Sequence, residues 1–245
     1  MYKPDFRRKA SNVPILSKQD IDHHGERFVQ DFMPEAMKSP MPIDVDRFIT
    51  KYLGLNLEYQ YLSHCGAYLG MLVFNDTKRL PVFDPRKNEA AYIRVPANTV
   101  IVDNSLLDEE NEHRYRFTGG HEAGHGIFHT QYYGYNRNQI SFFSREDDLP
   151  IVKCRAATIQ NAGSLKKVEF ETDQEWMEWQ ANYFASALLM PRSMVKKLVE
   201  EYDGDEFSKD LLLTHIISET FNVSLTAAEN RLKSLGMSTP HRLSV

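Results

Sequence analysis

Nine histidines are spread through 245 residues, yet His121, His125 and His129 fall within nine of them, while His23, His24, His64, His113, His215 and His241 are scattered. The run His121-Glu-Ala-Gly-His125 has HExxH spacing. On an α-helix, residues i and i+4 share a face one turn apart, so both imidazoles can converge on one cation at Zn–N distances of about 2.0–2.1 Å. Glu122, beside the first histidine, projects next to the open coordination position, where it can take a proton from a zinc-bound water and pass it to a leaving amine. That chemistry is metal-assisted hydrolysis of a peptide bond. The motif alone is only suggestive, because a histidine-rich surface helix can carry the same letters.

A catalytic zinc usually takes three protein ligands plus water. His129 does not qualify as the third, since on a continuous helix it lies about 12 Å along the axis from His121. The chain-reversing pattern HExxHxxGxxH is also absent, with Phe128 and Gln131 at its glycine and last histidine positions. His129 is therefore read as a packing or hydrogen-bonding residue. The segment after Thr172 offers Glu175 and Glu178 among Trp179, Tyr183, Phe184, Ala187, Leu188 and Met190, where a buried carboxylate needs a partner. Thr172-Asp-Gln-Glu175 is a capping box and accounts for Glu175. Glu178 is thus the better metal ligand, and Asn182, one turn on, can orient a ligating imidazole by a hydrogen bond. For Glu178 taken alone, a solvated helix glutamate is the competing reading.

These residues need two helices and a frame to hold them. One helix begins near Arg114, carries the HExxH run and is broken at Tyr132-Tyr133-Gly134-Tyr135-Asn136; the other runs from the Thr172 cap to Met190, before Pro191. Short β-rich runs, 70–74, 80–83, 91–95 and 99–103, are separated by turn-formers and predict three or four strands of an antiparallel or mixed sheet. Ser17 with Asp20 starts a helix reaching about Phe32. Val45, Phe48, Ile49 and Tyr52 line one face of a helix over 43–52 that Gly54 ends. A hairpin from 151–155 to 166–170 is expected in the long polar excursion after Tyr132. Helices over about 193–202, 207–221 and 225–235 follow, the last capped by Ser224 and closed by Gly236. The expected class is α+β: a small sheet packed on the HExxH helix, with a mainly helical C-terminal part. The expected division is an N-terminal extension over 1–42, a metallopeptidase core over 43–191, and a helical region over 192–245 packed on that core.

Composition narrows the function classes. With 29 Lys+Arg against 34 Asp+Glu, the net charge of −5 disfavours a protein that coats nucleic acid. No apolar stretch reaches the roughly 20 residues of a membrane span, and the amino terminus has charges but no apolar run of a secretory signal. Cys65 and Cys154 are too few and too far apart for a disulfide framework or a thiolate metal site; both are read as buried small hydrophobes. Sparse cysteine and the missing signal place the chain in the cytoplasm.

Arg116-Phe-Thr-Gly-Gly-His-Glu-Ala-Gly-His-Gly-Ile-Phe-His129, followed by Glu178-Trp-Gln-Ala-Asn-Tyr-Phe-Ala-Ser-Ala-Leu-Leu-Met-Pro191, resembles the ImmA/IrrE family of intracellular zinc metallopeptidases, with its RFT-x-x-HExGH-x-x-x-H and E-x-x-AN-x-FA-x-x-LLMP helices. The resemblance covers about 43–191, and the stretch from Phe221-Asn-Val-Ser224 through Gly236 is also similar to the family's usual ending. It implies Zn2+ held by His121, His125 and Glu178, with Glu122 as general base and acid. It also implies a protein substrate, such as a helix-turn-helix repressor. Gly120 and Ala123 depart from the family's usual Ala and Leu, which lowers helix stability or packing slightly and leaves the ligands intact. The excursion over 132–170 matches no family pattern, and an oxyanion donor is not identified among Tyr132, Tyr133, Tyr135 and Tyr183. The alternative function is a DNA-binding or protein-docking regulator using the helix-turn-helix-like segment 211–236, with Arg231 and Lys233 as its cations.

Overall fold

A computed structural model describes residues 1–135, 151–155, 170–205 and 208–238. Ser17 and Asp20 cap each other reciprocally and start α1 (Lys18–Phe32). The 43–52 segment is helical but not uniform, because α2 (Val45–Arg47) widens into a π-turn over Phe48–Tyr52 before Gly54 at φ 69°. Four strands, β1 (Asn56–Gln60), β2 (Tyr68–Val73), β5 (Thr99–Asp103) and β6 (Ile151–Arg155), form one mixed sheet in the order β1-β5-β2-β6. β1 runs parallel to β5, and the other neighbours are antiparallel. β3 (Thr77–Asp84) and β4 (Glu89–Val95) pair only with each other.

The central strands are buried on both faces. Leu72, Val100 and Val102 join the helical core, while Met71, Val73 and Ile101 pack on Leu80, Val82 and Val95 of the hairpin. Double burial is why β2 and β5 read as unbroken apolar runs. β2 slips register against β6 between Tyr68 and Gly70, and Leu69, at the slip, joins the helical side with Leu72. β1 escapes the sequence reading because Asn56-Leu-Glu-Tyr-Gln60 is a polar, partly exposed edge strand. Of the expected hairpin, 151–155 is a strand and lies beside β2. Most of its expected partner, 166–169, lies outside the described residues.

The helical part comprises α3 (Glu112–Phe128), the short α4 (Thr130–Tyr135), α5 (Asp173–Leu189), α6 (Arg192–Glu200), α7 (Lys209–Phe221) and α8 (Leu225–Leu235). The α+β reading therefore holds, with the sheet against the HExxH helix. One apolar cluster runs from Phe6, Ile21 and Phe28 through Phe184 to Ile217 and Leu232, so residues from both ends of the chain share it. Cys65, expected to be buried, is exposed in the turn before β2. Among the described residues no helix is long and apolar enough to cross a membrane.

α7 and α8 do form two helices around a short turn, with Asn222 at φ 52° and Ser224 capping α8. Arg231, however, is 1% exposed and faces inward. Its Nη2 lies 2.7 Å from Asp22 Oδ1 of α1, and its Nε donates to the Met190 carbonyl at 3.0 Å. Tyr183 completes the group by donating to Asp22 Oδ2 at 3.0 Å. Lys233 is paired with Glu229. The fold thus withdraws Arg231 from any nucleic-acid contact and uses it to join α1, α5 and α8. Asp22→Ala would leave this guanidinium buried without its counter-charge, and a loss of about 3–5 kcal/mol is expected in urea unfolding. Asp22→Leu combined with Arg231→Met should recover most of it.

Candidate metal centre

α3 and α5 cross with very small residues between them. A Cβ at Gly124 would sit 3.2 Å from the Ala181 Cα, and one at Gly120 would sit 3.3 Å from the Ala185 Cβ. The sequence treats Gly120 as a slight loss of helix stability; packing shows that it allows the approach. Arg116 anchors the start of the same helix. Its guanidinium donates to the carbonyls of Asn222 at 3.0 Å and Phe221 at 3.3 Å, satisfying the C-terminal end of α7. Thr172 and Glu175 cap α5 reciprocally, as their spacing predicts.

The crossing brings His121, His125 and Glu178 together, with one ligand atom from each lying within 4.8 Å of the others. The two Nε2 atoms are 3.0 Å apart. Glu178 Oε2 lies 3.5 Å from His121 Nε2, and its Oε1 lies 3.5 Å from His125 Nε2. A tetrahedral ion with bonds near 2.0–2.1 Å separates its ligands by about 3.3 Å, so the three atoms fit around one metal ion. Both imidazoles are fully buried, whereas the Glu178 side chain is 19% exposed. Burial pushes His121 down to about 4, an effect partly offset by its hydrogen bond to Asn182, and holds His125 well below the usual imidazole range. Both are therefore neutral near pH 7 and carry a lone pair for a metal.

Asn182 Oδ1 lies 2.9 Å from His121 Nδ1. A carboxamide oxygen accepts, so His121 is protonated on Nδ1 and its Nε2 lone pair faces the cluster. His129, at the C-cap of α3, is fully buried one turn beyond His125. Its Nδ1 is 2.9 Å from His125 Nδ1, and its Nε2 is 3.0 Å from Gln180 Oε1. Gln180 did not stand out in the sequence. The i+4 recurrence from His121 through His125 to His129 was the available signal that a polar line continues past the cluster. Among the candidate oxyanion donors, Tyr183 is engaged with Asp22, and the Tyr135 side chain lies outside the described residues. Tyr133 stacks on Phe74 at 4.6 Å, and burial together with the charges of Glu178 and Glu122 raises its phenol, which keeps its proton.

Glu122 is fully buried between α3 and β2. A Cβ at Gly70 would meet Thr118 Cγ2 at 2.5 Å and Glu122 Oε1 at 2.8 Å, so only glycine leaves room for this carboxylate against the strand. In the sequence Gly70 is only part of an apolar run, since nothing in one sequence links it to Glu122.

A family model of M78 peptidases, described as the IrrE N-terminal-like domain, matches residues 163–233. The ImmA/IrrE resemblance is borne out. The matched stretch contains Glu178 and Asn182 and reaches into α8; the HExxH helix precedes it, and the fold brings the two together. No curated protein matches the chain. The match supports a metallopeptidase of the ImmA/IrrE type, and the converging residues could hold its metal ion. Gly70→Ala is expected to overpack this site, costing about 1–3 kcal/mol in thermal unfolding, and to lower peptidase turnover more than metal content, as read by elemental analysis.

Proposed function

We propose that the chain is a zinc-dependent endopeptidase that cleaves a regulatory protein in the cytoplasm, with Glu122 as its general base and acid. The observation that carries this reading is the convergence of two neutral imidazoles and one carboxylate around a single point, with a glutamate on the same helix turn. Two nitrogens and one oxygen, with no thiolate, are the ligand set of a zinc site that keeps one position for water. His121, His125 and Glu178 would hold the ion, and Asn182 would orient His121. When bound, the ion supplies Lewis acidity, polarising the scissile carbonyl and acidifying a water. Glu122 would accept a proton from the attacking water as its oxygen bonds to the carbonyl carbon, and would deliver that proton to the departing amine as the C–N bond breaks. The bare backbone at Gly70 leaves the space that the Glu122 carboxylate occupies. A helix-turn-helix repressor as substrate rests on the ImmA/IrrE resemblance, and the cytoplasmic location on that resemblance together with the sparse cysteines.

Purified protein is expected to carry one zinc per chain, and His125→Ala to carry none. Glu122→Gln should retain the zinc and slow cleavage by at least about a hundredfold. Cleavage is read as disappearance of a full-length repressor encoded beside the gene when the two are co-expressed. Retained zinc with unchanged cleavage in Glu122→Gln would remove that residue from the mechanism.

A further inference from the structure

Behind His125 runs a line of polar contacts in which the direction of every proton is determined. It begins at the Pro14 carbonyl, which can only accept. Gln180 Nε2 lies 2.7 Å from that oxygen, and Trp176 Nε1 donates to the same atom at 3.2 Å. The nitrogen end of the Gln180 amide is thereby fixed on Pro14, and its oxygen end faces His129 Nε2 at 3.0 Å. An amide oxygen only accepts, so His129 is protonated on Nε2. Full burial keeps His129 neutral, and a neutral imidazole has one N–H, so its Nδ1 is an acceptor. The atom 2.9 Å from it, His125 Nδ1, must then be the donor. His125 consequently presents its lone pair at Nε2, the atom that faces Glu178 Oε1 and His121 Nε2.

We propose that His129 is a positioning residue of the metal site, relaying the fixed orientation of the Gln180 amide to His125 and holding it in the tautomer whose Nε2 can bind the ion. The inference rests on the reading of His121, His125 and Glu178 as the ligands. It gives the amino-terminal segment a part in the site, since Pro14 is bridged to Arg8, and Arg8 donates to the Phe128 carbonyl at 3.0 Å, at the end of the ligand-bearing helix. A neutral imidazole as acceptor also adds no charge. A carboxylate in that position would fix the same tautomer but make the buried site one unit more negative.

The test titrates metal-free protein with zinc against a chromophoric chelator, using wild type, His125→Ala, His129→Leu and His129→Asn. His129→Leu removes the acceptor and is expected to bind zinc roughly ten- to a hundredfold more weakly. His129→Asn, whose side-chain oxygen can take the same proton, is expected to recover most of the affinity. Wild-type affinity in His129→Leu overturns the inference. No zinc binding by wild type, or binding unaffected by His125→Ala, overturns instead the ligand assignment beneath it. Metal-free unfolding of each variant separates loss of the fold from loss of the site. Should the leucine variant fail to fold, long-range 1H–15N spectra of histidine-labelled wild type decide the matter. Protonation of His129 on Nε2 and of His125 on Nδ1 is expected, and a His129 proton on Nδ1 overturns the relay.

Discussion

An ion held by side chains from two helices needs axes close enough for both sets of ligands to reach it, and α3 and α5 meet this need by setting glycine against alanine. Gly120 and Gly124 leave no side chain between the backbones, and Ala181 and Ala185 answer from the other helix. Bulkier residues at these positions would push Glu178 away from His121 and His125 whatever their own geometry. Much of the remaining structure holds this crossing in place. The sheet backs α3, α1 packs on α5, and Arg116 ties the start of α3 to the end of α7.

Close approach alone would be unstable, because it gathers electron-rich atoms around two imidazoles sealed from solvent. Two lone pairs facing each other across 3.0 Å, with a carboxylate 3.5 Å from each, repel unless a cation joins them. The protein therefore has to define each ring from behind, as Asn182 does for His121. Arg231 and Asp22 show the same physics with the charges balanced internally: a buried guanidinium is acceptable because a carboxylate and a carbonyl meet it. Both groups touch α5, which carries the metal-site carboxylate of Glu178 and, at Tyr183, a donor to the ion pair that links α8 to α1.

Much of this was legible in the residues. HExxH spacing indicated a shared helical face, and the Thr172 to Glu175 box marked the start of α5, as Ser17 with Asp20 marked α1. Those signals are local, and local backbone rules determine them. What escaped was set by contacts across the chain. Gly70 matters because Glu122 sits opposite it, yet the two are far apart in sequence. β1 is a strand because β5 offers it an edge, although its own residues are polar. Arg231 looked like a surface cation on an amphipathic helix, and its burial depends on an aspartate in α1 that no spacing rule connects to it. Cys65 is exposed because its turn lies outside both apolar clusters, which a single residue type cannot reveal.

Burial across the three converging residues is uneven: both imidazoles are sealed, while the carboxylate retains contact with solvent. For an ion in this position, arrival and departure are therefore directional. Glu178 would be the ligand nearest the way in, since it is the one of the three whose side chain meets solvent.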